Sequence, residues 1–242
     1  GDPKSHPIWR NESVCLKCTK QLVKLANATK KDIHILHITT AEEIELLNKN
    51  KKFISYEVTP QHLVLSSPSC YNKLGTLAQM NPAIRSSRHQ NRLRKALKNN
   101  EIDIIGSDHA PHTLSEKKQK YPDSPSGMPG VQTLMPLLLN EVSKKTISIT
   151  NVVELTSFNP IKRFKVKDKG LIKEGYDADF TFVDLSMTKK ISNKLIQSKC
   201  GWTPFHGMKV TGWPVGTMIN GNKVFWNEKI IGKPIGKPVK FN

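Results

Sequence analysis

The chain has 242 residues, 37% of them hydrophobic and 24% charged, with 15 Pro and 14 Gly. That length and apolar content suffice for one large domain or two modest ones with a sizeable core, and they exclude wholesale disorder. No run of the chain approaches the ~20 consecutive apolar residues of a membrane-spanning helix. The opening Gly1-Asp-Pro3 carries no basic-then-apolar leader, so no signal peptide is expected.

Net charge is +18, from 38 Lys and Arg against 20 acids. Such an excess can mark a polyanion partner, but base-edge readout leans on Arg forks and only six of the 38 bases are Arg. The lysines fall at surface-like positions (Lys49, Lys51, Lys52, Lys117, Lys118, Lys144, Lys145) without interleaved aromatics. The expectation is a lysine-biased solvated surface rather than a nucleic-acid interface. The one local cluster, 88–95, reads as a helix face able to touch an anion. Four cysteines are too few for a disulfide scaffold, which points to a reducing cytoplasm. Cys15 and Cys18 make a lone C-x-x-C inside an apolar helical pattern and are expected to be buried structural thiols.

In chain order, residues 12–30 read as a helix with Asn11 as its N-cap. Residues 33–38 read as a strand, and Thr40 with Glu43 forms a capping box for a helix over 41–49. A second strand is expected over 53–58, closed by Thr59-Pro60. A basic helix capped by Ser86 or Ser87 runs to about Lys98, and a third strand covers 102–106. This alternation predicts an α/β parallel sheet. A Pro-, Ser- and Gly-rich loop (121–130) leads to helices near 131–143 and 150–157. After residue 168 alternating apolar residues dominate, and Asn220-Gly-Asn222 signals a hairpin, so residues 169–242 read as a small β-rich module.

Chemistry-bearing residues gather where these strands end, the edge at which parallel α/β folds build active sites. His37 closes the first strand. Gln61 and His62 follow the second, and Asp108, His109 and His112 follow the third within Gly106-Ser-Asp-His-Ala-Pro-His112. Imidazole and carboxylate suit zinc or a similar divalent ion, and a carboxylate there can shuttle protons. On a strand His34 and His37 would face opposite sides, so one of them is structural. His62 reads equally well as a ligand or as a satisfied core histidine.

Several of these segments together resemble the dihydroorotases of the amidohydrolase superfamily. They are His34-Ile-Leu-His-Ile-Thr-Thr40, Glu57-Val-Thr-Pro-Gln-His-Leu63, Asn81-Pro-Ala-Ile-Arg85, the Asp108-His-Ala-Pro-His112 turn, Ser126-Gly-Met-Pro-Gly-Val-Gln132 and Gly175-Tyr-Asp-Ala-Asp-Phe180. The resemblance implies a zinc-dependent (β/α)8 barrel hydrolase with two divalent ions, interconverting N-carbamoyl-L-aspartate and dihydroorotate in pyrimidine biosynthesis. It implies His37 as a ligand of one metal and Asp108 as a ligand of the other. Asp108 would also be the general base, then the general acid. It implies that Asn81, Ala110, His112, Pro129 and Gly130 hold the substrate, and it assigns no ligand role to Gln61 or His62.

The resemblance also exposes a departure. The family begins with an Asp-x-His-x-His strand, and no His-x-His occurs anywhere in this chain. Three strands are readable against eight in a complete barrel. Residues 1–168 are therefore expected to be the C-terminal part of an incomplete barrel, its activity in isolation doubtful. Possible partners are a second copy or the carbamoyltransferase of the same pathway, with no membrane contact. The competing reading is a non-catalytic remnant or a scaffold for that carbamoyltransferase.

Overall fold

The computed structural model describes residues 1–242. By contacts the chain forms two compact units, Gly1–Leu134 with Ile191–Met208, and Met135–Lys190 with Lys209–Asn242.

The first unit opens with a short helix α1 (His6–Trp9) and a long one, α2 (Glu12–Thr29). The Asn11 side chain accepts from Val14 N at 3.1 Å, the N-cap its residue type predicts. Next come strand β1 (Ile33–Ile35) and helix α3 (Ala41–Asn48). The expected capping box is present: Glu43 N donates to Thr40 Oγ1 at 3.2 Å, and Thr40 N to Glu43 Oε2 at 3.1 Å. Thr19 Oγ1 in α2 donates to Glu43 Oε1 at 2.7 Å, so the capping carboxylate also joins the two helices.

Strand β2 (Ile54–Val58) is followed by α4 (Pro60–Val64), α5 (Ser69–Leu74), α6 (Ser87–Lys98), strand β3 (Ile104–Ile105) and α7 (Leu114–Lys117). The three strands form one parallel sheet in the order β1-β2-β3. Ile54, Tyr56 and Val58 are buried while Ser55 and Glu57 between them are half-buried, the alternation of a pleated strand. β1 and β3 are shorter than expected. The backbone turns to a positive φ at His37 (40°) and Asp108 (41°), which an extended strand does not admit.

A second buried cluster of this unit brings together Cys70, Tyr71, Met80, Ile84, Met128, Cys200 and Trp202. Trp202 is 1% exposed and its Nε1 donates to His112 O at 2.8 Å.

Helix α8 (Val131–Ser143) begins in the first unit and continues in the second, which adds α9 (Ile149–Val153), a π-helical turn over Glu154–Phe158 and α10 (Asn159–Phe164). Its sheet is antiparallel, with β4 (Phe180–Lys190), β5 (Lys209–Ile219), β6 (Asn222–Trp226) and β7 (Lys229–Ile230) in sequence order. The predicted hairpin joins β5 to β6. Asn220 and Gly221 both take positive φ (49° and 75°), as a two-residue type I′ turn requires.

Two expectations are corrected, and the anions that the 88–95 helix face touches are identified. Cys18 is exposed and Cys15 only half-buried, because α2 buries Thr19, Val23 and Ala26 and turns Cys18 outward. The basic cluster of α6 already has anions within the chain: Arg88 pairs with Glu42, and Arg92 with Glu45 and Glu101, each at 2.7 Å. Lys117 is no surface lysine, having 0% exposure.

Trp202 fills the second cluster and satisfies a carbonyl of the Asp-His-Ala-Pro-His turn. Trp202→Ala is expected to destabilise the chain by about 3–5 kcal/mol, and Trp202→Phe, which chiefly loses the Nε1 bond, by about 1–2 kcal/mol. Urea denaturation reads both, and near-equal losses would show that the hydrogen bond, not the packed volume, dominates.

Candidate functional site

The site is built at the carboxyl ends of the parallel strands. β2 pairs with β1 through Ile35↔Tyr56 and with β3 through Val58↔Ile105. Just beyond these last pairs lie His37, Gln61 and Asp108. His37 and Asp108 both adopt left-handed backbone, which costs a non-glycine residue about 1–2 kcal/mol. Strain of this kind persists only where surrounding structure holds it. Ile38 N donates to Glu57 O at 2.8 Å immediately after His37, and Gly106 N to Val58 O at 3.1 Å shortly before Asp108.

Neither the His37 imidazole nor the Asp108 carboxylate is hydrogen-bonded to protein. The two are near enough to interact: burial raises the Asp108 carboxyl above its ordinary value, His37 opposes that rise, and Glu57 reinforces it. Sequence reading left Glu57 unassigned. It accepts from His34 Nε2 at 3.2 Å, while His34 Nδ1 meets Ser55 Oγ at 2.8 Å. His34 is thus the structural member of the His34/His37 pair. A carboxylate within a strand (54–58) whose alternate residues Ile54, Tyr56 and Val58 are apolar was the available signal for Glu57.

His62 is also structural. Its Nε2 donates to Pro82 O at 3.0 Å, which leaves Nδ1 to accept from Thr59 Oγ1 at 2.7 Å. Burial pushes its pKa down to about 3, so the ring stays neutral. Gln61 is fully buried, its Nε2 donating to Ser107 O at 2.9 Å while Oε1 has no partner. His109 Nδ1 accepts from Gly130 N at 3.1 Å and so secures the start of α8.

The remaining candidates come from three segments. Asn81 shares a cavity of about 220 Å³ with Arg10, Cys15, His37, Pro82 and Arg85. Arg85 is 4% exposed and has no carboxylate partner; it donates to Arg10 O, to Thr39 Oγ1 at 3.3 Å and to Cys15 Sγ at 3.0 Å. Pro129 and Gly130 line another cavity, of about 280 Å³, with His109, Gln132 and Gln197. Ala110 N donates to Met128 O at 3.1 Å, joining the Asp-His-Ala-Pro-His turn to the 121–130 loop. Glycine is required where these segments meet. A Cβ on Gly127 would lie 2.5 Å from Ala110 O and 3.2 Å from His112 Cδ2, and one on Gly130 would lie 2.2 Å from Ser107 O.

For a metal, the donor set fits in kind and falls short in number. An imidazole and a carboxylate without protein partners suit a divalent ion. No group of three or more His, Cys, Asp or Glu converges in these 242 residues.

A parallel sheet with unengaged imidazole and carboxylate at its carboxyl edge is the ground plan of a metal-assisted hydrolase. The family model described as "Amidohydrolase family" matches residues 12–224, and the chain belongs to that family. Within it, the curated relatives that the chain resembles are named dihydroorotase. The chain is 38% identical to the dihydroorotase of Pyrococcus furiosus over 93% of this chain and 52% of that protein. It is 37% identical to that of Pyrococcus abyssi over 98% of this chain and 55% of that protein. Among solved structures, the L-hydantoinase of Arthrobacter aurescens superposes with a TM-score of 0.85 at 27% identity, over 90% of this chain and 50% of that one. The dihydropyrimidinase of Brevibacillus agri gives a TM-score of 0.88 at 25% identity, over 96% and 52%. The fold is mixed α/β and superposes on about half of each of these two chains. The chain spans about half the length of the curated relatives it matches.

Burial lowers the pKa of Lys117 from 10.5 to about 8. Between those values the unfolded chain holds a proton that the folded chain lacks, so this group makes stability rise with pH across the window. Wild type should therefore gain stability relative to Lys117→Met as the pH goes from about 7.5 to about 10. Denaturation midpoints that keep a constant separation over that range would exclude the effect.

Proposed function

We propose that these residues form the part of a dihydroorotase that bears Asp108 and holds the substrate, acting in the interconversion of N-carbamoyl-L-aspartate and dihydroorotate in pyrimidine biosynthesis. In this reading most of 1–168 is part of a (β/α)8 barrel, and 169–242, apart from the 191–208 excursion, a small β-rich module. The observation that carries it is geometric: His37 and Asp108, both free of side-chain hydrogen-bond partners and both on left-handed backbone, lie at the ends of the strands flanking β2.

His37 would hold one divalent ion and Asp108 the other, with zinc the metal best matched to imidazole and carboxylate. When bound, such ions supply Lewis acidity and lower the pKa of water. Asp108 takes the proton from the attacking water as its oxygen bonds to the ring amide carbon. It then returns that proton to the ring nitrogen as the C–N bond breaks. Asn81 and His112 present side-chain donors to the substrate. Ala110, Pro129 and Gly130 offer backbone at close range, where glycine keeps the approach clear.

β1 and β3 each pair along one side only, which supports completion of the sheet by further strands. A second copy of the chain or a carbamoyltransferase remains the candidate partner in this reading. No helix is long and apolar enough to cross a membrane. The four free cysteines accord with a cytoplasmic setting. The internal pairing of Arg88 and Arg92 weighs against nucleic acid as the reason for the positive charge.

Two ligands are too few for the usual three-protein-ligand catalytic zinc site. The 242 residues by themselves are expected to bind zinc weakly and to show no cyclisation of carbamoyl-aspartate. Supplying the additional half present in the curated relatives should give activity in a dihydroorotate assay. Turnover by the 242 residues alone would overturn the expectation, and inactivity of the complemented protein would count against the function.

In the complemented protein Asp108→Asn, which keeps a residue tolerant of left-handed backbone, should lower turnover by about 10²–10⁴-fold. Its dihydroorotate affinity should change by no more than a few-fold. Near-normal turnover would remove Asp108 from the proton path.

A further inference from the structure

Asn81, His112 and the Pro129-Gly130 pair come from three separate segments, and one buried side chain binds those segments together. Lys117 lies five residues after His112 and has no exposed surface. Its Nζ donates to Gln79 O and to Pro125 O, both at 2.8 Å. Gln79 precedes Asn81 by two residues, and Pro125 precedes Pro129 by four. The Lys117 carbonyl accepts from Thr76 Oγ1, and from Ser124 Oγ at 3.1 Å. Around this node Gln79 Nε2 donates to Ser124 O at 2.6 Å and Gly127 N to Gln79 O at 3.0 Å.

The chemistry is costly for a purely structural element. A cation is buried against carbonyls, without a carboxylate to neutralise it. An apolar side chain of similar length would fill the same space without that desolvation penalty. What it could not do is donate to carbonyls on two different segments: Pro125 O would lose its donor, and Gln79 O would keep only the bond from Gly127 N.

We propose that Lys117 is a positioning residue that sets the distance between the Asn81 segment, the His112 turn and the Pro129-Gly130 loop. The proposal rests on the reading that those residues hold the substrate. Lys117 touches no substrate itself. It acts through the backbone, fixing Gln79 against the 124–127 segment so that Gly127 packs on Ala110 beside His112.

Amide hydrogen exchange on the full chain, with Lys117→Met beside wild type, tests the tie. Exchange at Gly127 and Ala110 should accelerate by about tenfold or more, the loss of one to two net hydrogen bonds. The amides of Ile38 and Gly106, bonded to β2, should stay within about twofold. A uniform acceleration means general destabilisation and overturns the proposal, as does no change at all. In the complemented protein the dihydroorotate dissociation constant should rise by about tenfold at unchanged zinc content. Loosened amides with unchanged affinity would overturn the positioning role. Should unaltered complemented protein fail to bind dihydroorotate, the proposed function fails, and the exchange pattern alone decides whether Lys117 ties the segments. If Lys117→Met does not fold, Thr76→Val and Ser124→Ala cut only the bonds to its carbonyl. They should reproduce the local pattern at smaller size, and their silence would refute the tie.

Discussion

Everything at the candidate site depends on the register of β2. Its five residues are the only strand of the parallel sheet bonded on both sides, and they fix where the two neighbouring strands stop. A slip of one residue would exchange the two faces, driving Ile54, Tyr56 and Val58 out of the core and Glu57 into it. The apolar face therefore holds the register, and the register sets where the chain leaves β1 and β3 toward His37 and Asp108. Tyr56 reinforces it from within, its hydroxyl donating to Glu101 O at 2.8 Å and its amide to Asp103 Oδ2 at 2.9 Å.

Much of the fold was legible because local rules and tertiary packing agree. Asn11 and Thr40 cap the helices that their residue types announce, and Asn220-Gly221 makes the turn that its dipeptide dictates. Strand ends were less legible. Periodicity cannot see that His37 and Asp108 leave extended backbone, since that departure is imposed by the surroundings and not by the residues themselves.

The site was legible as a set of motifs and less so as a set of roles. His62 and His37 read alike in sequence. They diverge because the loop around Pro82 brings a carbonyl to His62 Nε2, while nothing in the chain is bonded to His37. Lys117 was assigned to the surface by composition, since a lysine in a charged run (116–118) normally is solvated. Its burial depends on carbonyls about forty residues upstream and eight downstream, contacts that no local pattern encodes. The C-x-x-C pair failed for the opposite reason: helical periodicity identified the right helix but not which of its faces meets the core.

The excursion 191–208 between β4 and β5 has a consequence for dissecting the molecule. Although its flanking strands belong to the second unit, it supplies Cys200 and Trp202 to a cluster of the first. Neither unit is therefore a continuous stretch of chain. No single cleavage can release one of them whole: a stop after residue 168, where the sequence texture changes, would strip the first unit of Trp202 and leave the His112 carbonyl bare. Residue 202 must be made before the segment around Asp108 acquires this support. On the ribosome, the completion of that half of the site therefore trails its synthesis by nearly a hundred residues.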